Sequence, residues 1–432
     1  MRVSTHEVEL GPFLIDLMTG RLLREGIELG LRPQACRVFK TLIQNRGQYV
    51  DYEHMIAEAW DGIVVSRHTV DVTVGEVKKT LQEFSSWITH RPKVGYRLEV
   101  PKSEDLVRKG WHFWNRRTRE GFEKALVCFE AGAQEDGADF RVYEGLAACY
   151  LMLGTYCLRQ PHEVHASFLK ALDQAVALTG MTAELRLHHA HALHVFDRDY
   201  ARAESELLHV EREKPTLTKQ YGFQAMLYTS LGRFDDALQA LCKGYKIDPL
   251  FPVLPAVEVS VHYFAGNYDA AIACGRKSLE LHPYILVGRC FYAQALEYGG
   301  HLDEALQEYR TACTMLPGLN WLRILEGACM SKCGRTAEAA GILQEILQIR
   351  QTEYVDAYYM ALLYDALGMR DKAFAELERA IEEDSITLCL LDVDPKMVSV
   401  RKDPRFTSLH ARVFDDRGVN LSDSSQRLSA QA

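Results

Sequence analysis

The 432-residue sequence contains no run of eighteen apolar residues, so no membrane-spanning helix is expected. Its opening stretch, MRVSTHEVELGPF, lacks the apolar core that a secretion signal requires. Eleven cysteines are present but none form a CxxC pair; the nearest two, Cys329 and Cys333, stand four apart in a helical pattern. An odd, scattered set argues against a disulfide framework and fits a reducing cytoplasm. No P-loop, nucleophile elbow or Gly-rich dinucleotide loop occurs, so neither catalytic residues nor a cofactor are expected. His162-Glu163-Val164-His165 lacks the spacing of a zinc-protease motif. His188, His191 and His194 recur at three-residue intervals, which drift around a helix and do not converge on one ion, so no metal is expected either.

What is present is globular: 25% charged and 47% hydrophobic residues, in a chain long enough for two or more domains. The net charge of −9 is unevenly placed. Residues 1–102 hold 14 Lys/Arg and 13 Asp/Glu, leaving 36 and 46 for the remainder. The body is therefore acidic and repels phosphate, so that any contact with nucleic acid is left to the near-neutral head.

In the head, short apolar stretches around Phe13–Asp16, Leu22-Leu23 and Ile27–Leu29 alternate with Gly11, Gly20, Gly26 and Gly30, the pattern of a small antiparallel sheet. Pro33 then opens a helix whose core face is Cys36, Val38, Phe39, Leu42 and Ile43. Tyr49-Val50 reads as a connector, and Asp51 caps a second helix with Met55, Ile56, Ala59 and Trp60 inside. A third helix, from about Arg67 to Phe84, starts at Ser66 and carries the stripe Val70, Val74, Val77 and Leu81. Trp87–Thr89 and Gly95–Leu98 follow as two strands around a basic tip. Residues 67–97 hold six Lys/Arg and three Asp/Glu.

These phrases resemble the OmpR/PhoB-type winged helix-turn-helix: Gly11-x-Phe13, Asp16, Thr19-Gly20-x-Leu22, Leu31-Arg32-Pro33-Gln34, Val50, Trp60, Val70-Asp71-Val72 and Gly95-Tyr96-Arg97-Leu98. The resemblance implies a DNA-binding domain over residues 1–100, with the third helix in the major groove and the hairpin tip on the backbone or the adjacent minor groove. With the apolar stripe facing inward, Arg67, His68, Asp71, Thr73, Gly75 and Glu76 are left to face DNA. The expected DNA contacts are Arg67, His68, Thr73 and Lys78, with Arg91 and Lys93 on the backbone. Two departures stand out. Gly75 and Glu76 occupy positions where the family places basic or polar residues, and the wing tip reads Arg91-Pro92-Lys93-Val94.

Gly232, Gly266, Gly300, Gly334 and Gly368 recur every 34 residues, followed in the same register by Ala237, Ala271, Ala305, Ala339 and Ala373. Pro249, Pro283 and Pro317 keep the period, and Arg198 and Ala203 extend it backwards. This resembles the tetratricopeptide repeat. Glycine ends each first helix, Phe234, Tyr268 or Leu302 opens the second, alanine lets the pair approach, and proline ends it. About eight units are expected in a superhelix over 106–412, after a linker at 101–105. Asp403–Leu409 forms a terminal cap, and 413–432 is a polar, disordered tail. The groove of first helices is expected to be lined by Met226, Thr229, Tyr263, Gln294, Glu297 and Tyr358, a mixed surface suited to a protein or peptide.

The fold class read from the sequence is thus mainly α: an α+β winged helix followed by an α-solenoid of tetratricopeptide repeats. The combined architecture resembles HilA-like transcriptional regulators. It implies a cytoplasmic, sequence-specific regulator bound to double-stranded DNA, whose repeats hold a protein partner or a second copy of the chain. The alternative is an interaction scaffold whose winged helix no longer binds DNA. No receiver domain is expected ahead of the winged helix, and no contact with a membrane.

Overall fold

The computed structural model describes residues 7–24, 27–101, 103–283 and 285–414. Gly26 and the tail from residue 415 onward lie outside the described residues. Among those described, no helix is long and apolar enough to cross a membrane. The chain forms two compact units. One runs to Phe113 and also takes in Ala125–Val142; the other comprises Trp114–Lys124 and the chain from Tyr143 onward.

The first unit opens with the strands β1 (Glu7–Leu10), β2 (Phe13–Asp16), β3 (Leu22–Arg24) and β4 (Ile27–Leu29), an antiparallel sheet in sequential order. Then come α1 (Pro33–Gln44), β5 (Tyr49–Val50), α2 (Tyr52–Ala59), α3 (Arg67–Leu81), a 3-10 turn over Gln82–Trp87, β6 (Ile88–Arg91) and β7 (Gly95–Leu98). The apolar stripe of α3 is buried, as its periodicity requires, and packs with Val38, Phe39 and Leu42 of α1. Tyr49-Val50 is not a connector: it pairs with β7, Val50 opposite Tyr96, completing a three-stranded wing in the order β5-β7-β6. Local propensity did not show this because two residues form a strand only when a partner edge is supplied. Gly95 has φ +132°, and a Cβ there would meet the Val50 carbonyl oxygen at 2.0 Å, so the close pairing needs glycine.

Two further helices follow, α4 (Glu104–Trp114) and α5 (Arg119–Glu135). The linker expected at 101–105 is not an exposed tether, because Ser103 and Glu104 are buried. Arg141 donates to Glu104 at 2.5 Å and to Asp139 at 2.7 Å, and its guanidinium lies 5.6 Å from the Trp87 ring centroid. A buried ion triad therefore joins the end of the winged helix to the start of the helical part.

After α6 (Phe140–Thr155) and α7 (Pro161–Thr179), the helices of the second unit pair as α8 (Ala183–Ala192) with α9 (Tyr200–Glu213) and α10 (Lys219–Ser230) with α11 (Phe234–Ile247). They continue as α12 (Val253–Phe264) with α13 (Tyr268–Leu281) and α14 (Leu286–Tyr298) with α15 (Leu302–Met315). The last two pairs are α16 (Asn320–Lys332) with α17 (Thr336–Ile349) and α18 (Ala357–Ala366) with α19 (Arg370–Glu382). The periodic glycines all take left-handed backbone, φ +67° to +86°, and the periodic alanines are fully buried. Where Arg198 replaces glycine the backbone is still left-handed, φ +53°, preceded by one π-helical turn over Leu193–Asp197. The cap is α21 (Arg405–Phe414), reached through the short α20 (Val398–Arg401), and it buries Leu409, Val413 and Phe414.

Between α19 and α21 the chain does something the repeat pattern does not announce. Residues 385–401 run back along the first helices of the pairs. The Arg198 guanidinium donates to the Ser385 carbonyl at 3.3 Å, and Asp394 accepts from Tyr358 at 3.0 Å and from Tyr263 at 3.4 Å. Lys396 donates to Glu297 at 2.6 Å, and Ser399 donates to Asp365. The expected partner groove is thereby corrected. Thr229, Tyr263, Gln294, Glu297 and Tyr358 are buried and only Met226 is half-buried, and Tyr263, Glu297 and Tyr358 are taken up by Asp394 and Lys396 of the chain itself.

Candidate nucleic-acid interface

Helix α3 begins where Ser66 accepts a hydrogen bond from the Thr69 amide at 3.2 Å, leaving Arg67 and His68 in an exposed first turn. With Val70, Val74, Val77 and Leu81 turned inward, the outer face carries Arg67, His68, Val72, Gly75 and Lys79, all exposed. No atom would contact a Cβ on Gly75 within 4 Å, so the backbone there is bare. Lys78, expected on DNA, is half-buried.

Thr73 does not belong to this face. Its side chain is buried and its hydroxyl donates to the Thr69 carbonyl at 2.8 Å. The residue sits beside Val74 and Val70 on the inward turn, and a threonine hydroxyl can satisfy itself against the preceding turn without reaching water.

Both acids of the face are already engaged. Asp71 accepts from the Tyr96 hydroxyl at 2.7 Å and from the Tyr52 hydroxyl at 2.8 Å. Burial pushes its carboxyl up, but those two hydrogen bonds, with His90 and His68 nearby, outweigh it and hold the group below its ordinary range. Glu76, expected to face DNA, instead accepts from Arg32 Nε at 2.7 Å and also from its Nη2 and backbone amide. That pairing holds the Glu76 carboxyl below its usual range. The cation comes from the segment just before α1, 44 residues away, which spacing along α3 could not reveal.

Tyr52 is the joint of the site. Its hydroxyl lies 3.1 Å from His90 Nε2 as well as bonding Asp71, and the Arg67 guanidinium lies 5.2 Å from its ring centroid. His90 stacks on Tyr96 with ring centroids 4.6 Å apart. One residue of α2 thus couples the start of α3 to both wing strands. None of these four contacts was legible beforehand, although Asp71 and Tyr96 lie within the two family phrases. At the wing tip Arg91 and Lys93 are exposed, with Lys93 in left-handed backbone, φ +67°. Arg97 is occupied: it pairs with Glu99 at 2.6 Å and lies over Tyr49. The structure therefore brings Arg67 and His68 together on the uncovered face, puts Arg91 and Lys93 on the wing, and removes Thr73.

The histidine run of α8 forms no such surface. His188, His191 and His194 are buried, His194 Nε2 lies 2.8 Å from Ser230 Oγ, and His191 Nε2 lies 3.4 Å from Thr155 Oγ1. Burial lowers all three, His188 to about 3 and His194 to about 4.

Residues 26–98 match the family described as transcriptional regulatory protein, C terminal, and residues 221–249 match the tetratricopeptide repeat. Over 98 residues the chain is 26% identical to the transcriptional activator CadC of Escherichia coli (strain K12). That match takes in 22% of this chain and 19% of the relative, about a fifth of its length. A structure of a monomeric IFIT1 mutant with Gppp-AAAA superimposes with a TM-score of 0.51 at 15% identity, covering 76% of this chain and 84% of that one. Another IFIT1 monomeric mutant, with m7Gppp-AAAA, gives 0.51 at 16% identity over 87% and 83% of the two chains. The IFIT1 likenesses concern the helical fold alone. The chain joins an OmpR/PhoB-type winged helix to a tetratricopeptide superhelix.

Proposed function

We propose that this fusion of a winged helix and a repeat superhelix is a sequence-specific, DNA-binding transcription regulator of the cytoplasm. The observation that carries the reading is the outer face of α3. Its cation Arg67, its imidazole His68 and the bare backbone at Gly75 are uncovered, while Asp71 is engaged by the Tyr52 and Tyr96 hydroxyls and Glu76 is paired with Arg32. A face with its acids withdrawn can approach phosphate, and Gly75 lets the helix come close to base edges. In this reading Arg67 and His68 contact base edges and Val72 offers an apolar surface to a thymine methyl. Lys79, Arg91 and Lys93 hold the backbone.

The repeat body then sets how two winged helices are spaced on half-sites, by holding a protein partner or a second copy through surfaces outside its filled inner face. The test is selection of duplexes from a random pool with the full chain, followed by salt titration of the enriched site. A single enriched motif, with affinity falling linearly in log salt and weakened by Arg67→Ala, is expected. No enrichment, or binding indifferent to salt, would sink the reading in favour of a protein-binding scaffold.

A further inference from the structure

We infer that Glu258, His262 and Cys274 form a site for a divalent transition-metal ion of the zinc class, on the α12–α13 pair. Glu258 and His262 are four apart on α12, hence on one face, and Cys274 comes from the facing side of α13. One donor atom from each, a carboxylate oxygen, an imidazole nitrogen and a thiol sulfur, lies within 4.8 Å of the other two. In a tetrahedral site donors at that spacing sit at most about 2.9 Å from the ion, so contraction by roughly 0.6–0.9 Å reaches zinc bond lengths.

Two features fit a ligand here. His262 Nδ1 is buried with no hydrogen-bond partner, a state it shares with Nδ1 of His188, His189 and His191, but His262 alone of these stands beside a thiol and a carboxylate within ligand distance. Tyr245 on α11 donates its hydroxyl to Glu258 Oε2 at 2.6 Å, fixing the carboxylate as an outer-shell partner fixes a metal ligand. The donor set also selects the ion: sulfur with imidazole and one carboxylate suits zinc, whereas calcium or magnesium requires oxygen throughout. All three residues are half-buried, so solvent reaches the fourth corner, giving three protein ligands and one water. The thiol proton leaves to solvent when the ion binds. Because Glu258 is tied to α11, an ion here would brace one repeat against the next.

The experiment uses the metal-free full chain titrated with Co2+, then with Zn2+ as competitor. The expected result is one equivalent of cobalt giving a thiolate-to-metal charge-transfer band in the near ultraviolet and strong visible bands of a four-coordinate ion, both erased by zinc. Cys274→Ala removes the charge-transfer band, and Cys157→Ala, remote from the site, leaves it. Glu258→Gln keeps an acceptor for Tyr245 and so the fold, yet weakens cobalt binding by more than about tenfold, at least the loss that outer-shell partners give. An absent band, a band that survives Cys274→Ala, or unchanged affinity in Glu258→Gln with unaltered circular dichroism overturns the site.

Discussion

Lys396 and Glu297, 99 residues apart, form an ion pair at 2.6 Å with both side chains almost wholly out of water. Glu297 also forms an ion pair with Lys332 at 2.7 Å and accepts from the Tyr309 hydroxyl at 2.8 Å. Burial pushes its carboxyl up, and the two lysines hold it below its ordinary range, so it stays ionised. The pair fastens the returning C-terminal segment to α14. Removing Lys396 takes from the buried Glu297 carboxylate one of its two cations, and Lys396→Met is expected to cost about 3 kcal/mol in urea unfolding. Adding Glu297→Gln should recover much of that loss. A single variant as stable as the parent would show that the segment is not held there.

For DNA, the charge and the position of each side chain lead to different expectations. Lys93→Ala should weaken binding and reduce the slope of log affinity against log salt by about one, whereas Arg67→Ala should weaken binding to the selected site and relax its specificity with little change in slope. Thr73→Val should leave both unchanged, since its hydroxyl is turned into the helix. Filter binding or anisotropy across a salt series separates the three.

The Tyr52 joint carries no charge of its own. Tyr52→Phe removes the hydrogen bonds to Asp71 and His90, loosening α3 against the wing. Affinity for the selected site should fall severalfold while the salt slope stays the same. A change in slope would mean that phosphate contacts, not orientation, had been lost.

The buried histidines set a pH dependence whose sign follows from the depressed values. Unfolded histidine takes a proton near pH 6.5, whereas His188 and His194 in the fold do so only at about 3 and about 4. Between those limits the unfolded state binds more protons, so stability falls as pH falls, by up to about 1.4 kcal/mol per pH unit for each such histidine. The slope fades as pH rises through 6.5 and is small about one unit above it. His194→Gln, which keeps a hydrogen-bonding group for Ser230, should flatten the decline between pH 6.5 and 5 in thermal unfolding.

The sequence by itself determined whatever depends on neighbours along the chain. The 34-residue period placed the five left-handed glycines from Gly232 to Gly368 and the buried alanines that follow each of them, because a helix end and a close helix contact are specified within one unit. The stripe on α3 determined which way that helix turns, and so that Arg67 and His68 are outward. Tertiary structure decided which charges remain available. Arg32 withdraws Glu76, and Tyr52 with Tyr96 withdraws Asp71. In the superhelix, Asp394 and Lys396 occupy Tyr263, Tyr358 and Glu297, so a surface that reads as a partner groove is interior. The physical reason is the same in each case. Periodicity reports which face of an element is apolar, but a polar residue's partner is chosen by whichever distant segment the packing brings within about 3 Å of it.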